Sequence, residues 1–154
     1  MDQLPVTQLL KRAREGDVRA ADAVFASLYD ELKRAAHLQL RRHHDNLDTT
    51  VLVHETYLKM ATGERLAAND RAHLLAMSAR AMRQVLVDHA RIAHAIEQAL
   101  AQWEPRIAVA QVDVVGDPGA ADSALATIAY KLVASGAAEK VTLSVPLGGR
   151  AQGQ

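Results

Sequence analysis

The sequence predicts an α+β protein: an N-terminal helical bundle, one long helix, and a C-terminal three-stranded antiparallel sheet. Three observations carry this. Residues 71–91, RAHLLAMSARAMRQVLVDHAR, repeat apolar side chains every three and four positions, the spacing of a helix with one buried face. The spacing continues through Ile96, Ala99 and Leu100 to Trp103 with no Gly or Pro. One helix over residues 73–103 would be roughly 46 Å long at about 1.5 Å per residue. Beyond Pro105 the period becomes two, and Gly-, Pro- and Ser-bearing turns separate three Val- and Ile-rich runs.

Thr7 opens a short helix to Glu15, with Gly16 as its left-handed stop. Asp17 caps a longer helix through about Arg42, whose buried side takes Ala21, Val24, Phe25, Leu28, Leu32, Ala35, Ala36 and Leu38. The polar run 43–48 is a loop. Thr49 or Thr50 starts the next helix, with Leu52, Val53, Tyr57, Leu58 and Met60 as its apolar positions. Residues 62–70, TGERLAAND, break it, and Asn69 or Asp70 caps the long helix. In that helix Leu74, Leu75, Met77, Ala81, Met82, Val85 and Leu86 form the core stripe, while Arg80, Arg83, Gln84, Asp88 and Arg91 fall largely off it. The strands are residues 106–115, 125–134 and 140–147, with turns at 116–119 and at Ser135-Gly136. Ile128, Tyr130 and Leu132 share one face of the second strand; Val141, Leu143, Val145 and Leu147 alternate with Thr142 and Ser144 in the third. The first strand changes phase between Val109 and Val112, which predicts a bulge near Ala110 and Gln111. Residues 148–154 read as a frayed tail.

With 154 residues the chain can bury a core in one or two small domains. No apolar run is long enough to span a membrane, and the first residues lack a secretory signal pattern, which makes a cytoplasmic protein the expectation. Without cysteine there is no disulfide, thiolate metal site or cysteine nucleophile. The formal net charge is zero, but it is unevenly spread. Residues 1–94 hold 14 Lys+Arg, 12 Asp+Glu and all seven His; residues 95–154 hold 4 Lys+Arg, 6 Asp+Glu and no His. That asymmetry points to two parts with different partners. The modest positive excess of the first part predicts weak, salt-sensitive binding to nucleic acid.

No catalytic constellation emerges, so the expectation is a protein that is not an enzyme and uses no cofactor. His37, His43, His44 and Asp45 occupy a polar stretch rather than a fixed set of ligands, so no metal is expected. Glu97 and Glu104 share a helix face but nothing in the pattern builds a cleft between two carboxylates. The long helix is more informative. A packed back with an Arg/Gln front suits a nucleic acid, because Arg meets phosphates and purine edges and Gln pairs with adenine. The same pattern also serves a solvated amphipathic helix.

VTQLLKRAREGD (6–17), YDELKRAAHLQLRR (29–42), TTVLVHETYLKM (49–60) and the helix beginning at residue 71 follow in an order and spacing that resemble region two of extracytoplasmic-function (ECF) sigma factors, the bacterial initiation subunits of RNA polymerase. The resemblance covers residues 1–92 and implies a helical module that binds the polymerase core and the minus-ten promoter element. It assigns Val53, Glu55, Tyr57 and Lys59 to docking on the polymerase clamp, and Arg80, Arg83, Gln84 and Arg91 to promoter DNA. Thr49 and Thr50 stand where many members carry an acidic run. Val53 and Tyr57 also read as core positions.

Residues 95–148, with IEQALAQWEPRIAVAQVDVV at their head, resemble the C-terminal half of the phage baseplate wedge and sheath-initiator family. Its hallmark stands here as Trp103-Glu104-Pro105-Arg106, and the resemblance implies docking onto neighbouring wedge proteins. The organisation expected is a sigma-like module over 1–92, a helix plus sheet over 93–148 and a tail over 149–154. Neither half carries its family's remaining parts: no basic linker and minus-35-reading region four follow the first, and no extended N-terminal segment precedes the second. The expectation is a chimera joined through a shared helix, non-autonomous as a sigma factor.

Overall fold

The computed structural model describes residues 5–43, 45, 47–62, 68–120 and 122–148. His44, most of the break after residue 62 and the tail beyond residue 148 lie outside them. The chain is α+β: helices α1 (Val6–Arg14), α2 (Val18–Ser27), α3 (Tyr29–His43), α4 (Thr49–Thr62) and α5 (Arg71–Trp103), then strands β1 (Ile107–Gly116), β2 (Ser123–Leu132) and β3 (Ala138–Pro146). It divides into two compact units, Met1–Leu86 and Val87–Gln154, and the division falls inside α5.

In the first unit the caps are mostly where the short polar residues stand. Asp17 accepts from the Ala20 N–H at 3.2 Å. Asp48 accepts from the Thr50 N–H at 2.7 Å, and Asp70 from the His73 N–H at 2.8 Å, satisfying donors that the first turn of a helix leaves open. Thr7 is not a cap: α1 starts one residue earlier behind Pro5, whose carbonyl accepts from Gln8 and Leu9. Gly16, at φ 98°, ends the turn after α1 as expected.

The helix expected over 17–42 is two helices. Leu28 leaves helical geometry at φ −105°, ψ 8°. Its N–H still reaches the Val24 carbonyl (3.1 Å) and its carbonyl accepts from Leu32 (2.9 Å). The break therefore keeps both of these hydrogen bonds and leaves Leu28 buried, so the apolar spacing shows no interruption. Leu10, Val24, Leu28, Leu32, Leu52, Leu74 and Met82 are fully or almost fully buried in one cluster. Leu38 is not part of it; it is 53% exposed, while Gln39 and Leu40 turn inward.

In the second unit the strands run antiparallel in the order β1-β2-β3. β1 pairs with β2 from Ile107↔Leu132 to Gly116↔Ala124, and the register shifts between Val109 and Gln111, the expected bulge. The extra residue puts Val109 and Val112 on the same face. β2 pairs with β3 from Ser123↔Pro146 to Lys131↔Ala138, so Ala126 faces Leu143 and Ile128 faces Val141. Ile92, Ala93 and Ile96 of α5 pack on Val112, Val114, Ala124, Ala126 and Val145. Two alanines let the helix lie close to the middle strand. The strands begin and end one or two residues from the expected limits, within the usual fraying of element ends. The alternation of β3 marks a face but not a buried one: Val141 and Leu143 remain 37% and 48% exposed.

Candidate nucleic-acid interface and docking surfaces

α5 positions the first group. Leu74, Ser78, Met82, Val85 and Leu86 are buried, and Ser78 points its hydroxyl at the Met60 sulfur, 3.6 Å away. With that side packed, Arg80, Arg83 and Gln84 are all exposed. Arg91 is exposed further along the same helix, in the second unit. Among the described residues no ion pair engages Arg80, Arg83 or Arg91. Guanidiniums that reach solvent in successive turns can bind phosphate oxygens or base edges.

α4 carries the second group, and the structure separates its members. Val53 is 5% exposed and belongs to the core cluster, so its side chain packs inward rather than toward a partner. Thr56, also buried, bonds back to the Leu52 carbonyl at 2.7 Å. The Tyr57 ring meets Phe25 edge-on, centroids 4.6 Å apart and planes at 70°, and its hydroxyl donates to Asp22. That hydrogen bond, with burial and the carboxylate charge behind it, raises the Tyr57 phenol above its ordinary 10.0. Glu55 is half-buried and Lys59 exposed. The sequence pattern offered no sign of Asp22 as the partner of Tyr57, because 35 residues separate them.

The third group closes α5. The Glu104 N–H makes the last helical bond, to Leu100 (2.9 Å), and Pro105 cannot continue the helix. Arg106 then folds back on Glu104 in a two-pronged ion pair, Nε to Oε1 and Nη2 to Oε2, each 2.6 Å. Hydrogen bonding from Arg106 holds the Glu104 carboxyl below its usual 4.5, and the pair pushes the guanidinium up. The Arg106 carbonyl accepts from Val133 at 2.9 Å, tying the motif to the end of β2. Trp103 is 76% exposed. Beside the pair lies an open groove of about 360 Å³ lined by Leu100, Ile107, Ile128, Tyr130, Leu132, Val141 and Leu143. The structure thus groups Glu104 and Arg106 with apolar side chains that the four-residue motif did not reveal.

Among the described residues no group of three or more His, Asp or Glu is placed to hold a metal ion, and no helix is long and apolar enough to cross a membrane. Residues 3–98 match the family model of ECF sigma factors, well over half of the chain. The chain belongs to the ECF sigma factor family. The match takes in all of the sigma-like bundle and α5 as far as residue 98. Residues 71–137 also match the model of the baseplate wedge protein gp25, which makes that part similar to a second family. Both matches include residues 71–98, and no loop interrupts α5 there. No curated protein and no solved structure matches the chain.

Proposed function

We propose that the first unit is a polymerase- and promoter-binding module that works by binding rather than catalysis, inside the bacterial cytoplasm. The observation that carries this is membership of the ECF sigma factor family across 3–98, together with Arg80, Arg83 and Gln84 reaching solvent on the outward side of α5. Arg80 and Arg83 supply charge to phosphates near the minus-ten element and Gln84 is suited to a base edge; Arg91, in the second unit, is a separate candidate for promoter DNA. On α4, Glu55, Tyr57 and Lys59 are the residues offered to the polymerase clamp; Val53 supports them from the core.

The test pairs two measurements on the full chain. Pull-down with bacterial core RNA polymerase should retain it, and Glu55→Lys should weaken retention. In a fluorescence binding assay with minus-ten DNA, Arg80→Ala/Arg83→Ala should lower affinity and flatten the dependence of log K on log salt by roughly one unit for each phosphate no longer neutralised. Unchanged affinity and slope would end the promoter reading of α5.

A second reading has its own support. The match of residues 71–137 to baseplate wedge protein gp25 and the Glu104–Arg106 pair beside an apolar groove favour a wedge-like docking surface in the second unit. Trp103, Glu104, Pro105 and Arg106 form its centre, and baseplate wedge proteins are the partners it implies. Two family likenesses sharing residues 71–98 support a chimera joined through α5. Binding to wedge neighbours without binding to polymerase would favour the structural role, and binding to neither would leave a chimera with neither activity.

A further inference from the structure

α3 carries a cationic face that neither binding surface uses. Arg34, His37 and Arg41 stand at i, i+3 and i+7, one stripe of a helix. Lys33 and Arg42 flank them, and all five side chains are exposed. Leu32, Ala36, Gln39 and Leu40, on the opposite side, are buried and fix the rotation of the helix. The acids of α3, Asp30 and Glu31, are confined to its first turn, and Glu31 is engaged by Arg71. Lys33 lies over the Tyr29 ring, 5.9 Å from its centre. Among the described residues no carboxylate pairs with Lys33, Arg34, Arg41 or Arg42.

We infer that this face of α3 is a sequence-independent phosphate track for a nucleic-acid backbone, additional to the promoter contacts assigned to α5. The inference rests on the nucleic-acid reading of the first unit. The geometry suits a backbone. Arg34 and Arg41 are two turns apart, about 10 Å along the axis, close to three phosphate steps along one strand at about 3.4 Å of rise each. A protein partner would want an apolar centre with charges at its rim. Here the charges form the centre, and Leu38 is the large apolar side chain exposed among them.

The test uses the full chain and a short labelled duplex of scrambled sequence, with affinity read by fluorescence anisotropy over a series of salt concentrations. Arg34→Glu/Arg41→Glu should lower affinity about tenfold or more at low salt, and its salt slope should fall by roughly 1.8, about 0.9 for each phosphate released. Arg34→Gln/Arg41→Gln should show the same fall in slope, and Arg34→Lys/Arg41→Lys should keep wild-type behaviour. Circular dichroism checks that the helices persist. Loss of binding in Arg80→Ala/Arg83→Ala with none in either charge-removing α3 variant overturns the track and leaves the α5 reading standing. Loss in the α3 variants alone supports the track and shows that α5 adds nothing to sequence-independent binding, its promoter role being read separately with minus-ten DNA. No binding by the wild-type chain at low salt overturns both.

Discussion

Tyr57 ties α4 to α2 through one hydroxyl and one ring. Its phenol donates to Asp22 and its ring packs on Phe25. Tyr57→Phe keeps the ring and removes the donor, so it should destabilise the first unit by up to about 1 kcal/mol, the net worth of one partly solvated hydrogen bond, read by urea denaturation. The pH dependence follows from the raised phenol. The neutral form is the one that donates, so this contribution is complete below the unfolded value of 10.0 and disappears as pH rises through the higher folded value. The variant and wild type should therefore converge in stability only at strongly alkaline pH. Glu104 behaves in the opposite sense. Its carboxyl is held low by Arg106, so Arg106→Ala should let it titrate back toward 4.5 in an NMR pH series.

Among the elements, α5 is the one both units need. Its 33 residues contain no Gly or Pro, and Ala93 lies in its interior, packed toward the sheet. Ala93→Pro removes a helical N–H and sets a ring against the preceding turn, at a cost of about 3 kcal/mol or more. The expected result is loss of helical circular dichroism and of amide protection in the second unit, with α1–α3 still protected from hydrogen exchange. Equal protection everywhere would mean that the helix tolerates a kink at the seam. The turn between α1 and α2 is a second test at this scale. Gly16 sits at φ 98° with open space where a side chain would begin, so Gly16→Ala meets no neighbour. It should still cost roughly 1–2 kcal/mol from backbone strain alone, read by urea denaturation.

For residues 1–154 taken together the expected behaviour is partial. The helix that would meet the minus-ten element is followed by β1–β3, where a sigma factor with both promoter contacts would carry a linker and a second DNA-reading module. Contacts at one element leave mostly the electrostatic part of the affinity, and the excess of Lys+Arg over Asp+Glu in residues 1–94 is small. The 154-residue chain added to bacterial core polymerase should therefore give no robust promoter-specific transcripts in vitro, even where it binds the polymerase. Strong transcripts from a two-element promoter would overturn the non-autonomous reading.

Periodicity and punctuation made most of the elements legible. The three- and four-residue spacing of α5, the Asp17 and Asp70 caps, Gly16 and the phase change at the β1 bulge are local signals, and each depends on only a few neighbouring residues. They determined the α+β class and the outward placing of Arg83 and Gln84. Tertiary structure decided what those signals cannot encode. Leu28 bends the chain without disturbing its apolar spacing. Val53 points into the core and Leu38 away from it, because burial depends on which elements stand opposite, not on hydrophobicity alone. Asp22 meets Tyr57 from another helix, and the apolar residues beside Glu104 and Arg106 come from the end of α5 and three strands. Spacing along one chain sets which side chains share a face; only packing between distant segments sets what that face meets.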